Sequence, residues 1–226
     1  MNILSAISSL FYPRECPVCK RILVTGEDIF CTECLVKFPW ADPDLQSLGD
    51  YFKSLPLHIR PEKLYSLFHY NTGEDTKNLL FSIKYHNRPK LAYNIGRMLG
   101  EHIKEHLKGD IIIPIPLHPK REAERGYNQS VQIAKGVSHI TGIPYSTDVL
   151  VRTKHTKTQT EQNREHRIAS MDGAFTLKNS SAIEGKRVIL IDDVITTGAT
   201  IGACLQAISN SNVKNITLAC VARTSL

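Results

Sequence analysis

The chain has 226 residues, 42% hydrophobic and 22% charged, with a formal charge of +6. It is too apolar for a disordered chain, and its length suits one sizeable core with a small appendage. No run of 18 apolar residues argues for a membrane-spanning helix, and the basic balance fits anionic ligands such as phosphates, nucleic acid or an anionic membrane surface.

The opening "MNILSAISSLFYP" has no basic leader, its apolar run is broken by serines, and no small-residue cleavage site follows, so a cytoplasmic protein is expected. Ile3, Leu4, Ile7, Leu10 and Phe11 recur at helical spacing and predict a short amphipathic helix. Two C-x-x-C knuckles come next, Cys16 with Cys19 and Cys31 with Cys34, separated by eleven residues. Each knuckle turns both sulfurs toward one point, so the pair suits a tetrahedral Zn2+ with four thiolates and no open position, a structural rather than catalytic site. The alternatives are disulfides, disfavoured without an export signal, and four unrelated thiols. Pro39, Pro43, Gly49, Pro56 and Pro61 then punctuate a connector. The expected division is a cysteine module with connector over residues 1–60 and a larger domain over 61–226.

In the larger domain, helix and strand signals alternate. Leu91, Ile95, Met98, Leu99 and Ile103 mark a helix, "DIIIPIP" from Asp110 a strand, and Ile133, Ala134, Val137 and Ile140 a helix that starts after Asn128 and stops at Gly142. Residues 187–191 read as a buried strand, 199–209 as a helix and 215–222 as a strand. Cys204 and Cys220 fall on apolar faces and read as core. Continuous apolar strands between helices predict an α/β fold with a mainly parallel sheet covered on both faces. Residues 145–185 interrupt the alternation with a polar tract between strand-like pieces at 149–151 and 174–177. So long a loop suits a flexible flap.

In "VILIDDVITTGAT", four apolar residues lead into Asp192 and Asp193, then into Thr196, Thr197, Gly198, Ala199 and Thr200. Ligands of open α/β sheets bind where strands end at their carboxyl edge. There the two acids accept hydrogen bonds from vicinal hydroxyls, and the turn opening the next helix attracts a phosphate. Together they predict a sugar phosphate, with hydroxyls on the acids and its phosphate on residues 196–200.

This stretch resembles the ribose-phosphate fingerprint of type I phosphoribosyltransferases. The resemblance implies that Asp192 and Asp193 hold the ribose hydroxyls of phosphoribosyl pyrophosphate (PRPP), or of ribose 5-phosphate, and that residues 196–200 hold the 5′-phosphate. Hypoxanthine-guanine salvage enzymes usually carry an aspartate base where this chain has Thr196. In "IIIPIPLHPKREAERGYNQS", a proline-restricted turn at Pro116 precedes Lys120, Arg121 and Arg125, basic groups that suit the diphosphate. The cysteine module, this segment, "RTKHTKTQTEQNREHR" and the acid fingerprint together resemble the ComF family of competence-associated proteins, over nearly the whole chain. That resemblance implies a zinc finger joined to a phosphoribosyltransferase-like domain, and a link to uptake of single-stranded DNA in natural transformation with a competence helicase as partner. The flap departs from the family pattern at "TQTEQNREHR" and Ser170 but keeps Lys154, Lys157, Gln159, Arg164 and Arg167 for ligand closure.

Three functions follow. The first is a PRPP-dependent transferase in which Mg2+ and the basic turn stabilise departing pyrophosphate; no base is evident. The second is a non-catalytic nucleic-acid-binding accessory factor with the pocket kept as a PRPP sensor. Nine Lys or Arg against five Asp or Glu between residues 111 and 170 favour it, though only Tyr127 and Tyr145 there offer aromatic stacking. The third is a transcriptional regulator, which lacks any recognisable DNA-reading helix.

Overall fold

A computed structural model describes residues 13–44, 48, 50–70, 74–85, 87–153 and 173–224. The predicted N-terminal helix and the flap residues Lys154, Lys157, Gln159, Arg164 and Arg167 lie outside the described residues. In chain order the elements are α1 (Thr32–Lys37), α2 (Asp50–Lys53), a 3-10 turn (Leu57–Ile59), β1 (Lys63–His69), α3 (Glu74–Lys84), α4 (Pro89–Ile103) and β2 (Ile111–Pro114). They continue with α5 (Pro119–Arg125), α6 (Gln129–Thr141), β3 (Leu150–Arg152), β4 (Phe175–Leu177), β5 (Arg187–Ile195), α7 (Ala199–Ile208) and β6 (Asn215–Arg223).

Strands β1, β6, β5 and β2 form, in that order, a sheet whose pairings are all parallel. Beyond β2 the sheet gains a short edge, because Ile112 N–H donates to Pro144 and Ser146 N–H donates back to Ile112. Successive side chains of a strand point to opposite faces, so the apolar run of β5 feeds two cores at once. Ile189 and Ile191 pack with α4 and α6, while Val188 and Leu190 pack with Ile201, Cys204, Leu205 and Ile208 of α7. The predicted core cysteines Cys204 and Cys220 are both fully buried on the α7 side. Strands β3 and β4 pair antiparallel as a separate hairpin over that same face.

The helices α4 and α6 cross almost backbone to backbone. A Cβ on Gly96 would lie 2.2 Å from the Ile133 carbonyl oxygen, and one on Gly136 2.2 Å from that of Tyr93. No side chain fits there. Capping fixes the ends of α6: Asn128 accepts from Ser130 N–H at 2.9 Å, and Gly142 closes the helix at φ +71°, as its sequence predicts.

One strand runs further than its apolar residues predict. β5 continues through Ile195 because β6 keeps pairing with it, Asp192 opposite Cys220 and Val194 opposite Ala222, whereas β2 stops at Pro114 opposite Ile191. Asp192 and Asp193 therefore lie within β5, at the point where one neighbouring strand ends, rather than beyond its tip.

The cysteine module packs directly on the sheet domain. Val18, Phe30 and Phe38 share a core with Phe68, Leu79 and Ile83, with Phe38 stacked on Phe68 at 4.4 Å between ring centroids. Ser82 of α3 donates to the Pro17 carbonyl at 2.9 Å, and the His102 ring meets the Ala41 carbonyl at 2.6 Å.

Candidate functional site

The four sulfurs of Cys16, Cys19, Cys31 and Cys34 lie within 4.8 Å of one another. Local backbone brings them there. Lys20 adopts a left-handed conformation after the first knuckle, and its N–H donates to Cys16 O at 3.0 Å; Cys31 caps α1, its Sγ accepting from Cys34 N–H at 3.4 Å. Burial and the neighbouring sulfurs push the Cys34 thiol up. At Cys31 burial acts in the same sense, but the Cys34 N–H, the neighbouring thiols and Arg21 outweigh it and bring the thiol down to about 7. A closed set of four soft donors, one already hydrogen-bonded to backbone, fits a structural Zn2+.

Glu27, which the cysteine spacing does not single out, holds the two knuckles together. This buried carboxylate accepts from Thr32 N–H at 2.8 Å, Val24 N–H at 3.0 Å and Arg21 at 2.5 Å. The bonds from Thr32 and Val24 keep its pKa low despite burial.

The second cluster sits at the carboxyl edge of the sheet. Asp192 Oδ1 accepts from Ser130 Oγ at 3.0 Å and from Asp193 N–H at 2.9 Å. Asp193 pairs through Oδ2 with Lys84 Nζ at 3.2 Å, both largely buried. Burial and the adjacent Asp193 charge raise the Asp192 pKa from 3.8 to about 7, opposed by Lys84 and Ser130. Burial and the charge of Asp193 likewise push Tyr127 up to about 12, and its hydroxyl donates to the Ile83 carbonyl. Beside the acids, Gly198 takes φ +81° and caps α7, a conformation that costs glycine least. The turn ends where helix N–H groups lack intrahelical partners. Asp192 and residues 194–201 line a cavity of about 30 Å³.

The basic turn follows β2, whose last residue Pro114 pairs with Ile191 just before the acids. Pro116 is half-buried between β2 and α5, and Asn128 Nδ2 pins the turn by donating to Ile115 O at 3.0 Å. Arg125 donates to Gln129 Oε1 at 3.1 Å and lies over the Tyr85 ring. Arg152, on β3 at the root of the flap, is held down in pKa by burial and by Arg121, with Asp192 acting in the opposite sense and Arg125 a smaller contributor. Arg152 thus feels both Asp192 and the two arginines of the basic turn, while Lys120 is exposed.

The structure sets Asp192 and residues 196–200 around one cavity with Asp193 adjacent, and places Arg125 over Tyr85, the neighbour of Lys84, with Arg121 within electrostatic reach of Arg125. Lys84, Ser130 and Arg152 join them unexpectedly. Ser130 lies inside the quoted "GYNQS", one residue past its helix start, but Lys84 is 109 positions from Asp193 in the chain and carries no local signal. Two larger hollows, about 420 Å³ beside Trp40 and His102 and about 390 Å³ beside Lys108 and Arg187, lack this combination of acids and helix N-terminus. No helix among the described residues is long and apolar enough to cross a membrane.

Residues 84–225 match the phosphoribosyl transferase domain family. The chain is 24% identical to DNA utilization protein YhgH of Salmonella typhimurium over 216 residues, 92% of this chain and 84% of that protein. It is 26% identical to Competence protein F of Haemophilus influenzae over 220 residues, 91% of this chain and 95% of that one. Among solved structures, glutamine phosphoribosylpyrophosphate amidotransferase from B. subtilis aligns with 62% of this chain but only 30% of its own, at 20% identity and a TM-score of 0.42.

Proposed function

The chain belongs to the phosphoribosyl transferase domain family and is of the ComF type that its motifs resemble, and from that premise we propose that it binds PRPP at the carboxyl edge of its sheet and acts on single-stranded DNA handled during competence. The names of its relatives, a competence protein and a DNA utilization protein, support the second half.

The observation that carries the first half is the meeting of two adjacent acids and a helix N-terminus at one strand end, with Arg152 within electrostatic reach of Asp192. In this reading Asp192 and Asp193 accept from the ribose 2′- and 3′-hydroxyls, and residues 196–200 take the 5′-phosphate. Arg121 and Arg125, with Lys120 and the Pro116 turn, receive the pyrophosphate, and Lys154, Lys157, Gln159, Arg164 and Arg167 of the flap close over it. Ser130 and Lys84 orient the acids so that their oxygens face the sugar. When bound with PRPP, Mg2+ would supply charge neutralisation at the pyrophosphate. The protein's own contribution is positioning and positive potential around a leaving group. Residues 1–60 form the metal module in this scheme, with structural Zn2+ on Cys16, Cys19, Cys31 and Cys34, and residues 61–226 the PRPP-binding domain. Thr196, where hypoxanthine-guanine salvage enzymes usually carry an aspartate base, sets the chain apart from those enzymes, and the alternative reading is a pocket that senses PRPP without turnover.

Calorimetry with PRPP and Mg2+ tests the reading. Asp192→Asn/Asp193→Asn should weaken binding at least tenfold, since each charge-assisted bond contributes about 1.5–3 kcal/mol. Equal affinities would overturn the role of the acids. Pyrophosphate release by the wild-type chain separates transferase from sensor.

A further inference from the structure

Three consecutive residues at the end of α3 touch three different parts of the molecule. Ser82, fully buried, donates through Oγ to the Pro17 carbonyl at 2.9 Å, inside the Cys16–Cys19 knuckle. Ile83 offers its carbonyl, one of the last four of the helix, to the Tyr127 hydroxyl between α5 and α6. Lys84 Nζ pairs with Asp193 Oδ2 at 3.2 Å, and it also opposes the rise in the Asp192 pKa. Residues two apart on a helix point about 200° from one another. Ser82 and Lys84 therefore leave the turn on opposite sides, one toward the cysteines and one toward the acids.

Lys20 tightens the first of these contacts. It follows Cys19 in the left-handed conformation, at φ +64°, and its Nζ donates to both the Pro17 carbonyl and Ser82 Oγ at 3.2 Å. A hydroxyl taken out of water costs free energy unless it is bonded. Leu79, Leu80 and Ile83 already give α3 its apolar contact with the shared core, so an alanine at 82 would serve packing as well. What the serine adds is the bond to the knuckle.

We propose that Ser82 is a positioning residue: it fixes the last turn of α3 against the Cys16–Cys19 knuckle and thereby holds Lys84 against Asp193, so that metal binding at the knuckles and ligand binding at the acids strengthen each other. The positioning half stands on the contacts above, and the ligand half rests on the PRPP reading. Linkage makes the coupling reciprocal, so PRPP tightens zinc by the factor by which zinc tightens PRPP.

The ligand-free test is the coupling between Lys84 and Asp193. It is read from denaturant unfolding of the zinc-loaded full chain carrying Lys84→Met, Asp193→Asn or both, with Ser82 in place and with Ser82→Ala. Ser82→Ala leaves Lys20 as donor to the Pro17 carbonyl, and should remove about half of the coupling or more. A serine that serves stability alone would lower every chain equally and leave the coupling intact. Lys20→Met, at an exposed position, should reduce the coupling by a smaller amount. An unchanged coupling in either folded variant overturns the proposal, as does the absence of coupling with Ser82 in place. Zinc competition against a chelator, with and without PRPP and Mg2+, tests the linkage. PRPP should tighten zinc about fivefold or more in the wild-type chain, and clearly less in Ser82→Ala. Equal factors in the two chains, no tightening included, overturn the linkage. PRPP calorimetry on the same wild-type sample separates the two readings. No PRPP binding defeats the pocket assignment and leaves unfolding to decide the positioning, while PRPP binding with an unchanged Lys84–Asp193 coupling defeats the positioning alone.

Discussion

In the cysteine module four thiols crowd within 4.8 Å of one another, and Arg21, which interacts with Cys31, is itself engaged by Glu27. In the acid pocket two adjacent carboxylates meet Lys84 from α3, Ser130 from α6 and the field of Arg152 from β3. The first cluster is compatible with an ion from outside to balance its charge. The second draws its compensation from the chain, through Lys84, Ser130 and Arg152. The module should therefore stand or fall with its metal, whereas the pocket should tolerate single changes by small, separable amounts.

The largest expected effect lies in the module. Cys31→Ser removes a ligand and the cap of α1 together, and should drop bound zinc from one equivalent to nearly none by metal analysis. Because Phe30 and Phe38 share a core with Phe68, the sheet domain should melt earlier too. Loss of zinc with an unchanged Tm would mean that the two regions are energetically separate.

In the pocket, Lys84→Met leaves Asp193 largely buried without its ion-pair partner. Removing one member of a buried pair is costly, and the partial exposure of Lys84 tempers that to about 2 kcal/mol, measurable by denaturant unfolding. An effect as large as that of Cys31→Ser would erase the contrast between the regions.

Glu27→Gln sharpens the comparison from the other side. It retains all four sulfurs but weakens the bonds to Thr32, Val24 and Arg21, and should lower zinc affinity about 10- to 100-fold in competition with a chelator. The pKa of Glu27 is depressed on folding. Its stabilising contribution is thus complete above the ordinary glutamate value and lost as pH falls through the folded one.

The smallest effect has the opposite sign. Asp192 has its pKa raised from 3.8 to about 7, so its ionised form costs the folded chain free energy. That cost is absent below the unfolded value, grows as pH rises, and is complete above about 7. Asp192→Asn should therefore stabilise the ligand-free chain at pH 8.5 by on the order of 1 kcal/mol, or about 2–4 °C in Tm, with a smaller gain near pH 5.5. Thermal melts at the two pH values check it, and a Tm gain independent of pH would point to packing instead of charge.

The knuckles, the helix α6 with its Asn128 and Gly142 caps, the two-faced β5 and the acid fingerprint are all legible in sequence because each rests on neighbours a few residues apart. A C-x-x-C turn, a cap and a strand of alternating faces are local geometry. Three features were decided only by the tertiary structure. β5 runs on to Ile195 because β6 outlasts β2 beside it, a matter of which strands are neighbours. Glu27 becomes a buried acceptor only when the segment between the knuckles folds back toward Thr32. Lys84 reaches Asp193, and Tyr85 reaches Arg125, because the fold carries distant segments to one sheet edge. Contacts between residues so far apart leave no periodicity or spacing in the chain, since chain separation alone does not encode which segments the sheet will bring together.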